Sequence, residues 1–109
     1  MNIFESLYKC PICLDRKLRI VYGKKGIEKY ACFNCGNIWD SKFIDSLYSG
    51  NEKLNIDFLA EEFLRMFPHD HNSIEENLVD FQPELKIKLK YESRKKLISK
   101  IKEKMKKQD

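Results

Sequence analysis

The sequence predicts a small α+β protein in which an N-terminal β-hairpin with four cysteines precedes an α-helical C-terminal part. All four cysteines lie in the first third of the 109 residues, as two CxxC pairs. Two β-prone runs separate the pairs, and most later apolar residues recur at helical spacing. A chain of this length has room for one small domain, or for a metal module with a helical extension.

The predicted hairpin fills the space between the two cysteine pairs. Its strands are expected over 17–23 and 27–32, because both runs are rich in β-prone residues and glycines punctuate the turn at 23–26. Gly36 follows the last cysteine and offers the positive φ that a cysteine knuckle commonly requires. Residues 37–39 are expected to return as a third short strand.

Three helices are expected in the middle of the chain. The first is predicted over 42–48, and the second over 56–67 with Asn55 as its N-cap. The segment Ser73-Ile-Glu-Glu76 has the pattern of a capping box, in which two side chains satisfy free backbone N–H groups. A third helix therefore begins there and continues to about Phe81.

The tail, 83–107, carries two competing patterns. Residues 85–91 alternate apolar and charged side chains, as a strand does, whereas residues from Leu97 onward keep helical spacing. We expect a single helix beginning near Pro83, because proline suits the first turn of a helix and no turn signal follows it.

Charge divides the chain into three blocks. Basic and acidic side chains number 8 and 5 in residues 1–50, 2 and 8 in 51–80, and 11 and 4 in 81–109. Such asymmetry indicates that different segments face different partners. With the predicted elements, it suggests a cysteine-bearing segment 1–40, an acidic helical segment 41–82 and a basic C-terminal helix 83–109.

The cysteine spacing predicts a metal site. Cys10 and Cys13 are separated from Cys32 and Cys35 by 18 residues. Four thiolates joined by a hairpin can converge tetrahedrally on Zn²⁺, so the segment is expected to be a zinc ribbon with these four ligands. Because four protein ligands leave no position for water or substrate, the zinc is expected to be structural and the protein not an enzyme. Two disulfides, a thiol-redox pair and an iron–sulfur centre are the alternatives.

About 40 of the 109 residues resemble the zinc-binding domain at the front of bacterial and phage DNA primases. The resemblance rests on Tyr30-Ala-Cys32-Phe33-Asn-Cys35-Gly36 and on the following Trp39-Asp-Ser-Lys-Phe43-Ile44. Cys13 stands where primases often have histidine, and no polymerase domain with its acidic metal-binding cluster is expected. Zinc ribbons of transcription factors are similar too. The resemblance therefore implies nucleic-acid machinery as a setting, without primase activity.

Basic and aromatic residues interleave along the hairpin, where cations can meet phosphates and rings can meet splayed bases. The tail adds a second basic surface. The predicted nucleic-acid contacts are Arg16, Lys17, Arg19, Tyr22, Lys24, Lys25, Lys29, Tyr30, Arg94, Lys95 and Lys96. Alternatively, the rings are core residues, the lysines are solvated, or the tail covers the acidic residues near Glu61 and Glu75 of its own chain.

We therefore expect a non-catalytic zinc-ribbon protein that binds DNA or RNA as an accessory to replication or transcription. The main alternative is a phage or bacterial adaptor or inhibitor that docks on a polymerase or other nucleoprotein. Its contact surface would be the acidic middle or four apolar side chains, Phe58, Phe63, Met66 and Phe67. An enzyme fragment completed by a partner subunit is a third possibility. No small-molecule substrate is expected.

The remaining sequence patterns do not indicate a functional site. His69-Asp70-His71 is expected to be a loop, because alternate residues make a poor metal site without further ligands. Asp57, Glu61 and Glu62 are expected to be exposed helix residues and not paired acid–base groups. The first nine residues lack a signal-peptide pattern, and no run approaches the roughly 20 apolar residues of a membrane span. A cytoplasmic protein without membrane contact is expected.

Overall fold

The computed structural model describes residues 4–14, 16–49, 53–68 and 73–107. Within these ranges it is a small α+β protein with an antiparallel sheet and four α-helices. The elements are β1 (Phe4–Lys9), β2 (Lys17–Gly23), β3 (Gly26–Ala31), β4 (Ile38–Asp40), α1 (Ser41–Leu47), β5 (Tyr48–Ser49), β6 (Lys53–Leu54), α2 (Ile56–Met66), α3 (Ile74–Leu85) and α4 (Tyr91–Lys107). The chain forms two compact units, Met1–Leu54 and Asn55–Asp109.

The first unit is built on an antiparallel sheet with strand order β1-β2-β3-β4. Strands β2 and β3 form the expected hairpin, connected by Lys24 and Lys25, and Gly26 has a φ of 110° that favours glycine. Strand β4 confirms the expected third strand. Strand β1 was not predicted; it pairs with β2 through Glu5 opposite Arg19.

One face of this sheet is covered by α1. Tyr30 lies opposite both Ile20 and Trp39, so these residues share a face. Tyr30 and Trp39 are buried there, and Ile44 and Leu47 of α1 are fully buried. Burial of this apolar surface provides the core of the unit. The opposite face of the sheet is open to solvent at its exposed side chains, among them Lys17, Lys29 and Ile38.

A tyrosine cluster fixes the end of β1. The Tyr48 hydroxyl donates a 2.5 Å hydrogen bond to the carbonyl of Lys9. The ring of Tyr8 stacks on the ring of Tyr48, with centroids 5.3 Å apart, and meets the ring of Tyr30 edge-on at 5.5 Å. Because Cys10 follows Lys9 directly, these contacts determine where the first cysteine pair begins.

The second unit is a group of three helices. Asn55 caps α2 as expected, and the Ser73 hydroxyl accepts a hydrogen bond from the backbone N–H of Glu76 at 3.1 Å. Phe63 of α2 and Phe81 of α3 are buried and meet edge-on at 5.4 Å. Leu97 and Ile101 of α4 are fully buried, and α4 packs along α2.

The basic tail differs from the expected single helix. Helix α3 continues through Pro83 to Leu85, and α4 begins only at Tyr91. Lys86 has a φ of 57°, and the N–H of Ile87 donates to the carbonyl of Gln82 at 2.9 Å, which is a Schellman ending. The proline therefore lies in the last turn of one helix and not in the first turn of the next.

The residues between these helices follow the alternating pattern. Ile87 and Leu89 are buried, whereas Lys88 and Lys90 are exposed. The N–H of Leu89 donates to the side-chain oxygen of Gln82 at 2.9 Å.

The division of the chain into segments at residues 40 and 82 stays a prediction. No helix within the described residues is both long and apolar enough to cross a membrane.

Candidate metal centre

Two backbone loops of nearly the same geometry carry the cysteines. In the first, the N–H of Leu14 donates to the carbonyl of Cys10 at 2.9 Å; in the second, the N–H of Gly36 donates to the carbonyl of Cys32 at 2.8 Å. Leu14 and Gly36 both follow the second cysteine of a pair, and both have a left-handed backbone, with φ of 65° and 77°. Each CxxC pair therefore forms a knuckle that turns its two sulfurs inward.

Strand ends hold the two knuckles in position. The N–H of Cys10 donates to the carbonyl of Arg16 at 2.6 Å, which closes the first loop just before β2. The N–H of Cys32 donates to the carbonyl of Asn37 at 2.9 Å, which closes the second loop just before β4. Pairing between β2 and β3 then brings the loops together.

All four sulfurs converge. The Sγ atoms of Cys10, Cys13, Cys32 and Cys35 lie within 4.8 Å of one another. Cys10 Sγ is 3.7 Å from Cys35 Sγ, and Cys13 Sγ is 3.7 Å from Cys32 Sγ. These distances are far longer than a disulfide bond of about 2.05 Å, and all four cysteines are free. The cluster can hold a metal ion.

Hydrogen bonds to sulfur prepare the cluster for thiolates. The N–H groups of Ile12 and Cys13 both approach Cys10 Sγ at 3.4 Å. The side-chain amide of Asn34 donates to Cys13 Sγ at 3.4 Å, and that of Asn37 donates to Cys35 Sγ at 3.3 Å. Sequence reasoning missed both asparagines, although an amide inside or beside a CxxC pair is a readable signal. Donors of this kind stabilise the charged form of a ligand.

Two thiols differ clearly in acidity. Burial, opposed by the N–H groups of Cys13 and Ile12, raises the pKa of Cys10 to about 12. At Cys35 burial also acts to raise the pKa, but the backbone and side-chain N–H groups of Asn37 and the neighbouring thiols lower it to about 7. Metal binding requires that the thiols lose their protons, so it must release protons from this cluster near neutral pH.

Comparison with protein-family models, curated proteins and solved structures finds no significant match. The chemistry of the centre is therefore argued from its own atoms. Cys10 and Cys32 are buried, whereas Cys13 and Cys35 are partly exposed, so the sulfurs lie just beneath the surface. A set of four thiolates suits a soft or borderline metal ion and fills a tetrahedral coordination shell without substrate.

The predicted hairpin cations lie on or beside the sheet. Lys24 and Lys25 are exposed in the β2–β3 connection, and Arg16 and Lys17 are exposed where β2 begins. Two others already have partners: Arg19 lies 3.9 Å from Glu5, and Lys29 lies 3.9 Å from Asp40. Both pairs are exposed cross-strand ion pairs, which contribute little to stability.

The two predicted hairpin tyrosines have different environments. Tyr30 is only 4% exposed, and its hydroxyl donates to Asp45 at 3.4 Å. It belongs to the core and offers no ring face to a nucleotide. Tyr22 is 47% exposed and meets the exposed ring of Phe4 edge-on at 5.9 Å. Phe4 was not among the predicted contacts, because no turn or cap in the sequence indicates that β1 pairs beside β2.

The tail cations fall into two groups. Arg94, Lys95 and Lys96 are exposed on α4. Lys100 lies 3.2 Å from Asp57, and Lys104 lies 3.7 Å from Asp57 and 3.6 Å from Glu61. A hydrogen bond from Lys100 is the main cause that lowers the pKa of Asp57. The alternative in which the tail covers acidic residues of its own chain therefore applies to these two lysines, which pair with Asp57 and Glu61.

Among the residues that the structure describes, the remaining sequence features contribute no second centre. Asp57 and Glu61 are exposed residues of α2 that meet lysines, as expected of helix-surface carboxylates. Phe63, proposed as part of an adaptor surface, is 2% exposed and packs against Phe67, with ring centroids 5.1 Å apart. The segment His69-Asp70-His71 lies outside the described residues.

Proposed function

We propose that the cysteine cluster binds one structural Zn²⁺ and that the unit Met1–Leu54 is a zinc ribbon. Tetrahedral ligands at 2.3 Å from zinc lie about 3.8 Å from each other, and two sulfur pairs of the cluster are 3.7 Å apart. Structural zinc binds such modules with an apparent ~10–16 kcal/mol, which is comparable to the stability of a whole small domain. The ion then acts in folding and not in catalysis.

We further propose that the ribbon binds DNA or RNA through the open face of its sheet, as a non-catalytic accessory to replication or transcription. One observation carries this proposal: Lys9 and Lys17 lie directly opposite each other on β1 and β2, and both are exposed. Like charges in this position destabilise a sheet, so their presence favours a role in binding an anion. Phosphates would neutralise the pair.

Neighbouring groups extend the contact to the end of the hairpin. Lys24 and Lys25 carry the positive charge to its tip, and the exposed rings of Tyr22 and Phe4 lie near this end on the other face of the sheet. Cations interleaved with rings suit a phosphate backbone with accessible bases. The resemblance of the ribbon to the zinc-binding domain of DNA primases points to the same class of partner.

The zinc proposal is tested at one ligand with two substitutions. Cys13→Ser removes a thiolate, whereas Cys13→His offers an imidazole that zinc accepts in three-cysteine, one-histidine sites. We expect one zinc per chain by plasma mass spectrometry in the wild type and in the histidine variant. The serine variant should lose zinc and its near-UV circular dichroism. Full zinc in the serine variant, or iron in the wild type, would refute the four-thiolate zinc site.

The nucleic-acid proposal is tested by Lys17→Glu, since this change separates folding from binding. It replaces a repulsive cross-strand pair with an attractive one, so the metal-loaded protein should be as stable as the wild type or slightly more stable. Affinity for a fluorescent oligonucleotide should fall roughly tenfold near 0.1 M salt, and the salt slope should lose about one unit, as expected for one lost phosphate contact.

Lys42→Glu is the matched control, because Lys42 is exposed on α1 of the same unit and outside the sheet. It makes the same change in net charge and should leave affinity nearly unchanged. Equal losses in both variants would indicate a general charge effect. No loss in a folded Lys17→Glu protein would remove this face as the contact.

A further inference from the structure

Helices α3 and α4 leave an apolar groove between them. Its volume is about 240 Å³, and both walls present residues at the spacing of one helix face. The α3 wall is formed by Glu75, Leu78, Val79 and Gln82, and the α4 wall by Tyr91, Arg94, Lys95 and Ile98. Val79 is 69% exposed and Tyr91 is 64% exposed, so the apolar lining is open to solvent.

The α4 wall belongs to a longer apolar stripe. Tyr91, Ile98 and Met105 follow one another at seven-residue intervals, and Met105 is 47% exposed. This stripe runs beside a buried one formed by Leu97 and Ile101. The apolar surface of helix α4 is therefore wider than the part that its own chain covers.

Positive charge borders this second stripe. Arg94, Lys95, Lys102 and Lys106 are all exposed and, at 3.6 residues per turn, lie on either side of it. The two carboxylates among the described α4 side chains, Glu92 and Glu103, lie roughly 100–120° around the helix from Tyr91. The Nζ of Lys95 is 5.2 Å from the centroid of the Tyr91 ring, so the cation remains beside the groove.

We infer that this groove binds an acidic amphipathic helix of a partner protein. An apolar floor between two helices accepts the i, i+3, i+4 and i+7 side chains of a helical peptide. The four cations beside the stripe complement carboxylates on the rest of that peptide. This inference is independent of the nucleic-acid proposal, because it rests on a different unit of the chain.

Other occupants fit the groove less well. An anionic membrane surface is flat, whereas this apolar surface is concave. Among the described residues, Glu75 is the one carboxylate of the groove lining, and the cations Arg94 and Lys95 outnumber it there. Nucleic acid presents phosphates to cations but no continuous apolar face to match Val79, Tyr91 and Ile98. An acidic helix matches both the apolar floor and the cations.

The test is selection of binders from a phage-displayed library of helical peptides of about 16 residues, with the full zinc-loaded chain as target. We expect enriched peptides to carry net negative charge and apolar residues at i, i+3 or i+4, and i+7. Synthetic copies should bind by fluorescence anisotropy, and Val79→Glu should weaken them about tenfold or more, since it places a like charge on the groove floor.

A matched pair of variants isolates the charge of the groove. Lys95 and Lys96 are neighbouring exposed residues of α4, but only Lys95 lines this groove. Lys95→Glu should therefore weaken peptide binding several-fold more than Lys96→Glu does. Circular dichroism of each variant checks that α4 is retained.

Three outcomes would overturn the inference. If the selected peptides lack net negative charge or helical apolar spacing, an acidic amphipathic helix is not the partner of this groove. Equal affinities of wild type and folded Val79→Glu would exclude the groove as the site. The third outcome is that Val79→Glu weakens binding to vesicles of phosphatidylcholine and phosphatidylserine, or to a duplex oligonucleotide, but leaves peptide binding unchanged. The groove would then be assigned to that partner instead.

Discussion

If the cluster binds zinc as proposed, replacing Gly36 should weaken zinc binding, because the second knuckle needs a left-handed backbone at this position. Gly36 has a φ of 77°, and an added Cβ would meet no atom within 4 Å. A small side chain at position 36 would therefore clash with no neighbouring atom, and only the backbone conformation disfavours it. An L-residue in this region costs about 1–2 kcal/mol relative to glycine.

In a small zinc module this cost appears in metal affinity, because zinc binding and folding are coupled. Gly36→Ala should weaken zinc binding about tenfold, since 1.4 kcal/mol corresponds to a factor of ten. Asparagine visits the left-handed region more readily, whereas β-branched residues resist it. The expected order of affinity is glycine, asparagine, alanine and then valine.

Competition with a chromophoric zinc chelator at fixed pH measures this order directly. Plasma mass spectrometry of each variant checks that the same single ion is bound. If alanine binds zinc as tightly as glycine, or asparagine binds more weakly than alanine, backbone strain at this position does not control affinity and the reasoning fails.

Two further predictions concern the helical unit. Lys86 has a φ of 57° at the end of α3, so Lys86→Gly should stabilise the protein by about 1 kcal/mol. Lys86→Ala also removes the charge but should have a stability near that of wild type. Urea unfolding monitored by circular dichroism compares the variants, and equal stabilities of the glycine and alanine variants would contradict strain at this residue. The hydrogen bond from Lys100 lowers the pKa of Asp57 below its ordinary 3.8, so Asp57 stabilises the fold above that pH and the contribution disappears as pH falls through the lower folded pKa. Asp57→Asn should therefore be less stable than wild type near pH 6 and converge with it in acid, as thermal unfolding at several pH values would show; a gap that widens in acid would reverse the sign.

Local signals in the sequence were sufficient for much of the fold. Glycines bounding a short turn predicted the hairpin of β2 and β3, and the caps Asn55 and Ser73 predicted the starts of α2 and α3. These features depend on residues close together in the chain. The quartet of cysteines was also readable, since CxxC spacing allows few arrangements other than convergence on one ion.

Non-local pairing and ambiguous residues account for the errors. Strand β1 was missed because Phe4–Lys9 contains no turn or cap, and it becomes a strand only by pairing with β2. The end of α3 was missed because lysine at position 86 does not announce a left-handed residue, as glycine would. Pro83 is compatible with the first turn of a helix, yet here it occupies the last turn of α3. Tertiary contacts, and not the local sequence, determine which of these two helix positions Pro83 occupies.

The metal site and the proposed contact face are linked through the backbone. Lys9 directly precedes the ligand Cys10, and its carbonyl is held by the Tyr48 hydroxyl. On the neighbouring strand, Lys17 follows Arg16, whose carbonyl accepts the N–H of the same ligand. The loop that presents Cys10 Sγ to a metal therefore also sets the two lysines opposite each other. Under the proposed function, zinc contributes to nucleic-acid binding by fixing this repulsive pair in place, so loss of the metal should abolish the contact even though no lysine has changed.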